Sequence, residues 1–167
     1  MSSKSAIVSV LFLSMALSGL FFALDDINEK GLAVADLMAG DEAVTHQDTG
    51  KPALTTTSAI CYLLKNAATV DEALELLRGI DMNSDIGSAH HYAIADASGK
   101  SVVVEYVDNE IVVVDSPVVT NHYLCEQKRN VGLYEGDRRY DFLCQQYEKA
   151  GGTMDLRQLT TAIASVS

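Results

Sequence analysis

Cysteine is too sparse in this chain to build a scaffold. Three occur in 167 residues, Cys61, Cys125 and Cys144, and no two of them form a CxxC pair. An odd count at such spacings excludes a disulfide framework and a zinc ribbon. Positive charge is also in short supply. Lys plus Arg number 12 against 23 Asp plus Glu, giving a net charge of −11 and an isoelectric point near 4.6. A nucleic-acid groove needs net positive charge beside the phosphates, so that class of partner is excluded. No GxSxG, P-loop, GxGxxG or HExxH sequence occurs, so no familiar catalytic signature marks a site.

Apolar residues make up 48% of the chain and charged residues 21%, which supports a packed core rather than disorder. The length suits one domain. Residues 6–24 are nineteen positions without a charge, preceded by Lys4 and containing Ala16-Leu17-Ser18 before Gly19. These are the parts of a secretory signal peptide in order, which would export the chain. The same run reads equally as two buried strands, residues 7–13 and 20–24, of a cytoplasmic domain, or less well as a membrane anchor. The expected division is therefore an apolar segment at 1–24 and a domain at 25–167.

From Asp25 onward the punctuation is that of an α+β domain. Residues 31–37 read as a strand after the turn Asn28-Glu29-Lys30, and 39–52 as a surface loop. Residues 55–67 read as a helix with Ala59, Ile60, Leu63, Leu64 and Ala67 on one face. A second helix begins at Thr69, whose hydroxyl can cap the Glu72 amide while Glu72 reaches back. Its face is Val70, Ala73, Leu74 and Leu77, and Gly79 stops it. A polar stretch at 81–88 leads to β-branched runs at 91–95, 102–106 and 111–114, separated by short polar turns, an antiparallel meander. Pro117 breaks the meander, and Val118-Val119-Thr120 reads as a last strand ending at Asn121. Two further helices follow, one carrying Tyr140, Leu143, Cys144 and Tyr147, the other Leu156, Leu159 and Ile163.

The residue types capable of chemistry are scattered. His90 and His91 begin a strand, where neighbours point to opposite faces and cannot share a metal, so they read as core or loop histidines. The acidic pairs Asp25-Asp26, Asp41-Glu42 and Asp71-Glu72 read as solvated turns and a helix start. Cys61 and Cys144 fall at core-compatible helical positions, and a buried thiol without a base is inert. Cys125 follows His122 by three residues, a weak Cys–His pattern. Arg138-Arg139 lies on the first turn of a helix, where a cation opposes the dipole and needs an ion pair with Asp137 or Asp141, or a carboxylate ligand. Asn121 stands where the chain leaves a sheet, and its amide can donate to a developing oxyanion.

Several segments, taken in order, resemble the choloylglycine hydrolase family of linear-amide C–N hydrolases. Asp26-Ile-Asn-Glu-Lys-Gly-Leu-Ala-Val-Ala35 is similar to that family's D-G-M-N-E-K-G-L-A-V strand entry. Thr55-Thr-Thr-Ser-Ala-Ile60 with Val70-Asp-Glu-Ala73 is similar to its helical pair, and His91-Tyr-Ala-Ile-Ala-Asp-Ala-Ser-Gly-Lys-Ser-Val-Val-Val-Glu105 to its central hairpin. Val118-Val-Thr-Asn121 resembles the strand that follows, and Asp137-Arg-Arg-Tyr140 the S-x-R-[FY] helix start. The resemblance runs from about residue 21 to 167.

It implies the αββα sandwich of the N-terminal nucleophile hydrolases. There, a cysteine at the first position of the mature chain attacks the amide and its own α-amine, titrating near about 8, serves as base. It also implies a small-molecule amide substrate, of the bile-salt, penicillin or N-acyl type, and no cofactor or metal. Asn121 matches the asparagine that holds the nucleophile and tetrahedral intermediate, and Arg139 the active-site arginine. Met38 falls where the family's oxyanion asparagine stands and cannot donate. The opening hairpin, with its Cys-Thr start and its R-N-x-D arginine and aspartate, has no counterpart. Ser2 would be exposed by loss of Met1, but Ser-Ser-Lys-Ser lacks the rest of that hairpin.

The expectation is therefore an incomplete sandwich, a truncated or remodelled hydrolase inactive by itself. A reading of the gene that begins upstream would complete it. The alternative of another class is an exported, non-catalytic binding domain with an acidic surface. An incomplete sandwich would expose apolar faces at 102–104 and 111–114 and self-associate.

Overall fold

The computed structural model describes residues 24–39, 43–84, 87–128 and 137–166. The apolar run at 6–23 and the acidic pair Asp41-Glu42 lie outside them. The chain begins with two strands, β1 (Asp25–Ile27) and β2 (Ala33–Met38), then a short strand β3 (Ala53–Thr55). Two helices follow, α1 (Thr56–Asn66) and α2 (Val70–Arg78), and a short strand β4 (Asp81–Asn83). The meander is β5 (His90–Ala95), β6 (Ser101–Val107) and β7 (Glu110–Asp115), and the chain closes with α3 (Arg138–Lys149) and α4 (Leu156–Ala164). The main sheet runs β1-β2-β5-β6-β7 with every pair antiparallel, and β3 and β4 form a separate parallel pair.

Local chemistry explains the joints. Asp108 and Asn109 both take left-handed backbone, with φ of 51° and 66°, the two-residue turn whose twist matches a right-handed β6–β7 hairpin. Gly31 turns β1 into β2 at φ +85°, where a side chain would also meet Ala97 Cβ at 3.0 Å. In the same turn the Asn28 Nδ2 donates to the carbonyls of Leu64 and Ala67, occupying acceptors that the end of α1 leaves open. Asp96, in the β5–β6 turn, accepts from the Val70 amide and so closes the start of α2 from a distant part of the sequence.

The helix starts are as the sequence reads, with one difference. Thr69 accepts from the Glu72 amide, but the Glu72 carboxylate takes the Ala68 amide rather than that of Thr69, so the cap is one-sided. Thr55 and Asp155 make the reciprocal caps instead, with Ser58 and Gln158.

Strand alternation assigns the two faces of the sheet. One face, with Val34, Tyr92, Ile94, Val102 and Val104, lies under Ile60, Leu63, Val70 and Leu77 of α1 and α2. The other, with Ala35, Ala93 and Val103, is covered by Val119 and Leu124 and reached by Tyr140 of α3. The expected exposure of 102–104 is therefore wrong: Val102, Val103 and Val104 are 1%, 1% and 0% exposed, because both faces of β6 are covered. In β7, which ends the sheet, Val113 is exposed while Ile111, Val112 and Val114 are half-buried.

Three more expectations are corrected. Val118-Val119-Thr120 forms no ladder with any described strand; it packs across the sheet by side chains and through the Ser116 hydroxyl, which donates to the Val118 carbonyl. Cys61 is exposed, since the buried stripe of α1 runs through Thr56, Ala59, Ile60 and Leu63 and leaves Cys61 on its outer side. Leu156 is 72% exposed, and α4 buries Ala162 against Val118, Leu143 and Met154 instead. The α+β class stands. Among the described residues the far face of the main sheet is covered by the irregular 118–125 segment and by Tyr140 of α3, and the other sheet is the two-stranded β3–β4 pair.

Candidate functional site

The segment that leaves the sheet after β7 carries the polar groups, and one buried carboxylate fixes it in place. Glu105 sits on β6 opposite His91 in the β5–β6 register and is fully buried. A carboxylate there requires partners. Its Oε1 accepts from the Leu124 amide at 2.6 Å and from His91 Nδ1 at 3.3 Å, and its Oε2 from the Cys125 amide at 2.9 Å. Burial pushes the Glu105 pKa up. The bonds from His91, the Leu124 amide, the Cys125 thiol and the Cys125 amide outweigh it and hold the carboxyl below its ordinary range.

The two histidines do face opposite sides, His91 towards Glu105 and His90 towards the Asp36 carboxylate at 3.0 Å. The Cys125–His122 pattern dissolves. Burial and the neighbouring Glu105 carboxylate raise the thiol to about 11, while His122 Nδ1 is taken by Thr120 Oγ1 at 2.9 Å. A protonated thiol on a carboxylate is not a nucleophile.

With the segment so held, Asn121 lies half-buried at the end of β2, and its Nδ2 donates to the Met38 carbonyl at 3.2 Å. Arg139, on the first turn of α3, reaches the same point: one of its terminal nitrogens is 3.4 Å from Asn121 Oδ1. The three positions matched to the family, Met38, Asn121 and Arg139, thus converge although 83 and 18 residues separate the paired members.

Asp137 explains why a cation stands at a helix start. It caps α3 by accepting from the Arg139 amide at 2.9 Å, and it takes the Arg139 Nε at 3.1 Å and a terminal nitrogen at 3.2 Å. That fork fixes the guanidinium plane. Burial raises the Asp137 pKa, but Arg139 and the Thr120 hydroxyl bring it below the ordinary range. His122 sits beside this pair, 3.6 Å from Asp137 Oδ2 and edge-on to the Tyr140 ring. Burial lowers its pKa, against the pull of Asp137, and keeps the ring neutral at neutral pH. Among the described residues no cluster of His, Cys, Asp and Glu has the makings of a metal site, and no helix is long and apolar enough to cross a membrane.

Spacing alone found the ion pair of Arg139 but not Glu105, whose signal was legible. A carboxylate within Val102-Val-Val-Glu-Tyr106 that alternates with Val103 on a covered face must have buried partners. Thr120, His122 and Asp137 gave no such pattern, because their contact crosses from the segment to α3.

A helix-backed antiparallel sheet of this kind is the fold of solved amide hydrolases. The profile described as linear amide C-N hydrolases, choloylglycine hydrolase family, matches residues 3–157, and the chain belongs to that family. It is 30% identical over 130 residues to the penicillin V acylase of Pectobacterium atrosepticum, covering 70% of this chain and 34% of that protein. Its fold is similar to that of penicillin V acylase from Agrobacterium tumefaciens, with a TM-score of 0.64 at 24% identity over 87% of this chain and 51% of the other. An arginine-to-leucine variant of the conjugated bile acid hydrolase from Clostridium perfringens gives 0.65 at 22% identity, over 87% and 60%. The chain thus spans about a third of the length of the curated relative and half to three-fifths of the solved ones.

Proposed function

We propose that this chain carries the substrate-side corner of a linear amide hydrolase, in which Asn121 and Arg139 receive the amide, and that it does not turn over such amides by itself. The observation that carries the reading is the convergence of Asn121, Arg139 and the Met38 carbonyl at one strand end. The Asn121 amide is a neutral donor suited to a carbonyl oxygen as it gains negative charge. Arg139, held by Asp137, is a cation fixed in direction that orients Asn121 and draws a carboxylate or carbonyl of the substrate. Family membership and the penicillin V acylase and bile acid hydrolase relatives support small acyl amides as the ligand class.

The silence by itself follows from the thiols. The family chemistry uses a cysteine whose own α-amine is its base, and the three cysteines here lie on α1, within the Glu105-bound segment and on α3. Cys125 is moreover a protonated, buried thiol. The Met38 position supplies a backbone acceptor in place of a side-chain donor, so Asn121 is the one amide side chain at this corner among the residues matched to the family.

Titration of the full chain with phenoxyacetyl-glycine amide, read by nitrogen–proton correlation spectra, tests the reading. Binding is expected to move the Asn121 side-chain amide and the Arg139 Nε–H resonances, and Arg139→Ala is expected to abolish the shift. Shifts confined to other residues would overturn it.

A further inference from the structure

On the face of the sheet opposite the Glu105 carboxylate, three side chains outside the Asn121–Arg139 corner form a line. Ser88 Oγ lies 3.0 Å from His90 Nε2, and His90 Nδ1 lies 3.0 Å from each oxygen of Asp36. Asp36 and His90 are buried, their side chains 1% and 7% exposed, whereas Ser88 is half-buried and next to the exposed Gly87. Register places the relay at one sheet end: Met38, two residues beyond Asp36 and on the same face, pairs with His90.

We infer that Ser88, His90 and Asp36 form a second, serine-based acyl-transfer site that acts on small activated esters. The chemistry follows from which ring nitrogen faces which partner. A carboxylate forked on one ring nitrogen favours the tautomer with the ring hydrogen there, so the Asp36 contacts at Nδ1 put the acceptor position at Nε2. The Ser88 hydroxyl therefore donates to Nε2. This is the order nucleophile, base, orienting carboxylate, a constellation recognised by geometry and role rather than by chain order. A structural histidine needs only its two ring positions occupied. Here one of those partners is a primary hydroxyl at the accessible end of the line, and the carboxylate is at the closed end.

The open side is next to the nucleophile. Ser88 is half-buried and adjoins the exposed Gly87, while the side chains of His90 and Asp36 are 7% and 1% exposed, so Ser88 is the end of the line an ester would approach. In the first step Ser88 Oγ forms a bond to the ester carbonyl carbon as its proton passes to His90 Nε2. Collapse of the adduct breaks the bond to the alkoxy or aryloxy group, which leaves with that proton or as the free phenolate, the proton then going to solvent. Water next gives a proton to Nε2 and attacks the acyl carbon. The acid departs, and Ser88 recovers its proton. An aryl ester expels a stabilised anion and needs less oxyanion stabilisation than an amide. The site is thus compatible with a chain silent towards linear amides, and it stands independently of the Asn121–Arg139 reading.

The test uses the full chain with p-nitrophenyl acetate, followed by p-nitrophenolate release and by intact mass and peptide mapping. The expected result is one equivalent of p-nitrophenolate released in a burst, with a single acetyl group on Ser88. Ser88→Ala should lose both, and Ser88→Cys should regain an acetyl group at residue 88. A fluorophosphonate probe should label the same residue, a measurement that needs no variant to fold. Labelling of the unmodified chain elsewhere, including on a histidine, or an unchanged burst in Ser88→Ala, or no labelling by either reagent, would overturn the inference.

Discussion

Replacing Glu105 by glutamine tests how the segment carrying Asn121 is held. The carboxylate accepts the Leu124 and Cys125 amides at 2.6 and 2.9 Å, as well as His91. Glutamine keeps one acceptor oxygen and turns an NH2 group towards the other amide. One charge-assisted bond, about 1.5–3 kcal/mol, then falls to a neutral bond of about 1 kcal/mol. The second amide is left buried and facing a donor, at about 1–3 kcal/mol. The sum is a loss of about 3 kcal/mol. With a urea dependence of about 2 kcal/mol per molar, the unfolding midpoint should fall by roughly 1.5 M.

Amide exchange localises the effect. Leu124 and Cys125 should lose protection by a factor on the order of 10² while Val102 and Val104 in the sheet change only with global stability. The pH dependence has a defined sign. Because the folded-state pKa of Glu105 lies below its ordinary value, its contribution is complete above the unfolded value of about 4.3. It is lost as pH falls through the folded value, and Glu105→Gln should lack that acid-side loss. A midpoint shift under about 0.3 M, with Leu124 and Cys125 still protected, would refute the reasoning.

Other expected outcomes follow from single contacts. Asp137→Asn should destabilise by about 1–3 kcal/mol, since it weakens both the α3 cap and the Arg139 fork. Urea melts across acid pH should show the wild-type advantage present above the ordinary carboxylate pKa and fading below it, because the Asp137 pKa is lowered by folding. Gly31→Ala forces a side chain into left-handed backbone and to 3.0 Å from Ala97 Cβ, and thermal unfolding should report a loss of about 1–2 kcal/mol or more. Thr69→Ala removes the acceptor for the Glu72 amide and should cost about 1 kcal/mol, whereas Glu72→Ala should cost less because its carboxylate serves only the exposed Ala68 amide.

The fold was legible where local chemistry decided it. The β-branched runs of β5 to β7, the Asp108-Asn109 turn and the cap at Thr69 are written in neighbouring residues. The three-residue strands β1, β3 and β4 were not, since each is too short for alternation to register and exists through pairing with a distant partner. Val118-Val119-Thr120 has the composition of a strand, yet its neighbours in space offer side chains rather than a free edge. Asn121 and Arg139 were singled out through family resemblance, and their side chains come within 3.4 Å of each other. The Asp137–Arg139 pair was legible from its two-residue spacing, and the carboxylate of Glu105 from its place in a buried strand, but their contacts to His122, Leu124 and Cys125 span 15 to 20 residues, which spacing does not encode. Coverage of Val102–Val104 removes one of the two faces on which self-association was expected, while Val113 on the edge strand β7 is exposed.

The central claim is that this chain holds the amide-receiving corner and none of its cysteines performs the attack. A purified-chain assay with a chromogenic linear amide at neutral pH tests it most directly. The account predicts no release of the amine above the rate in buffer, with Cys61, Cys125 and Cys144 free of acyl groups by mass. Steady release of the amine, abolished by replacing any one of those cysteines, would contradict it.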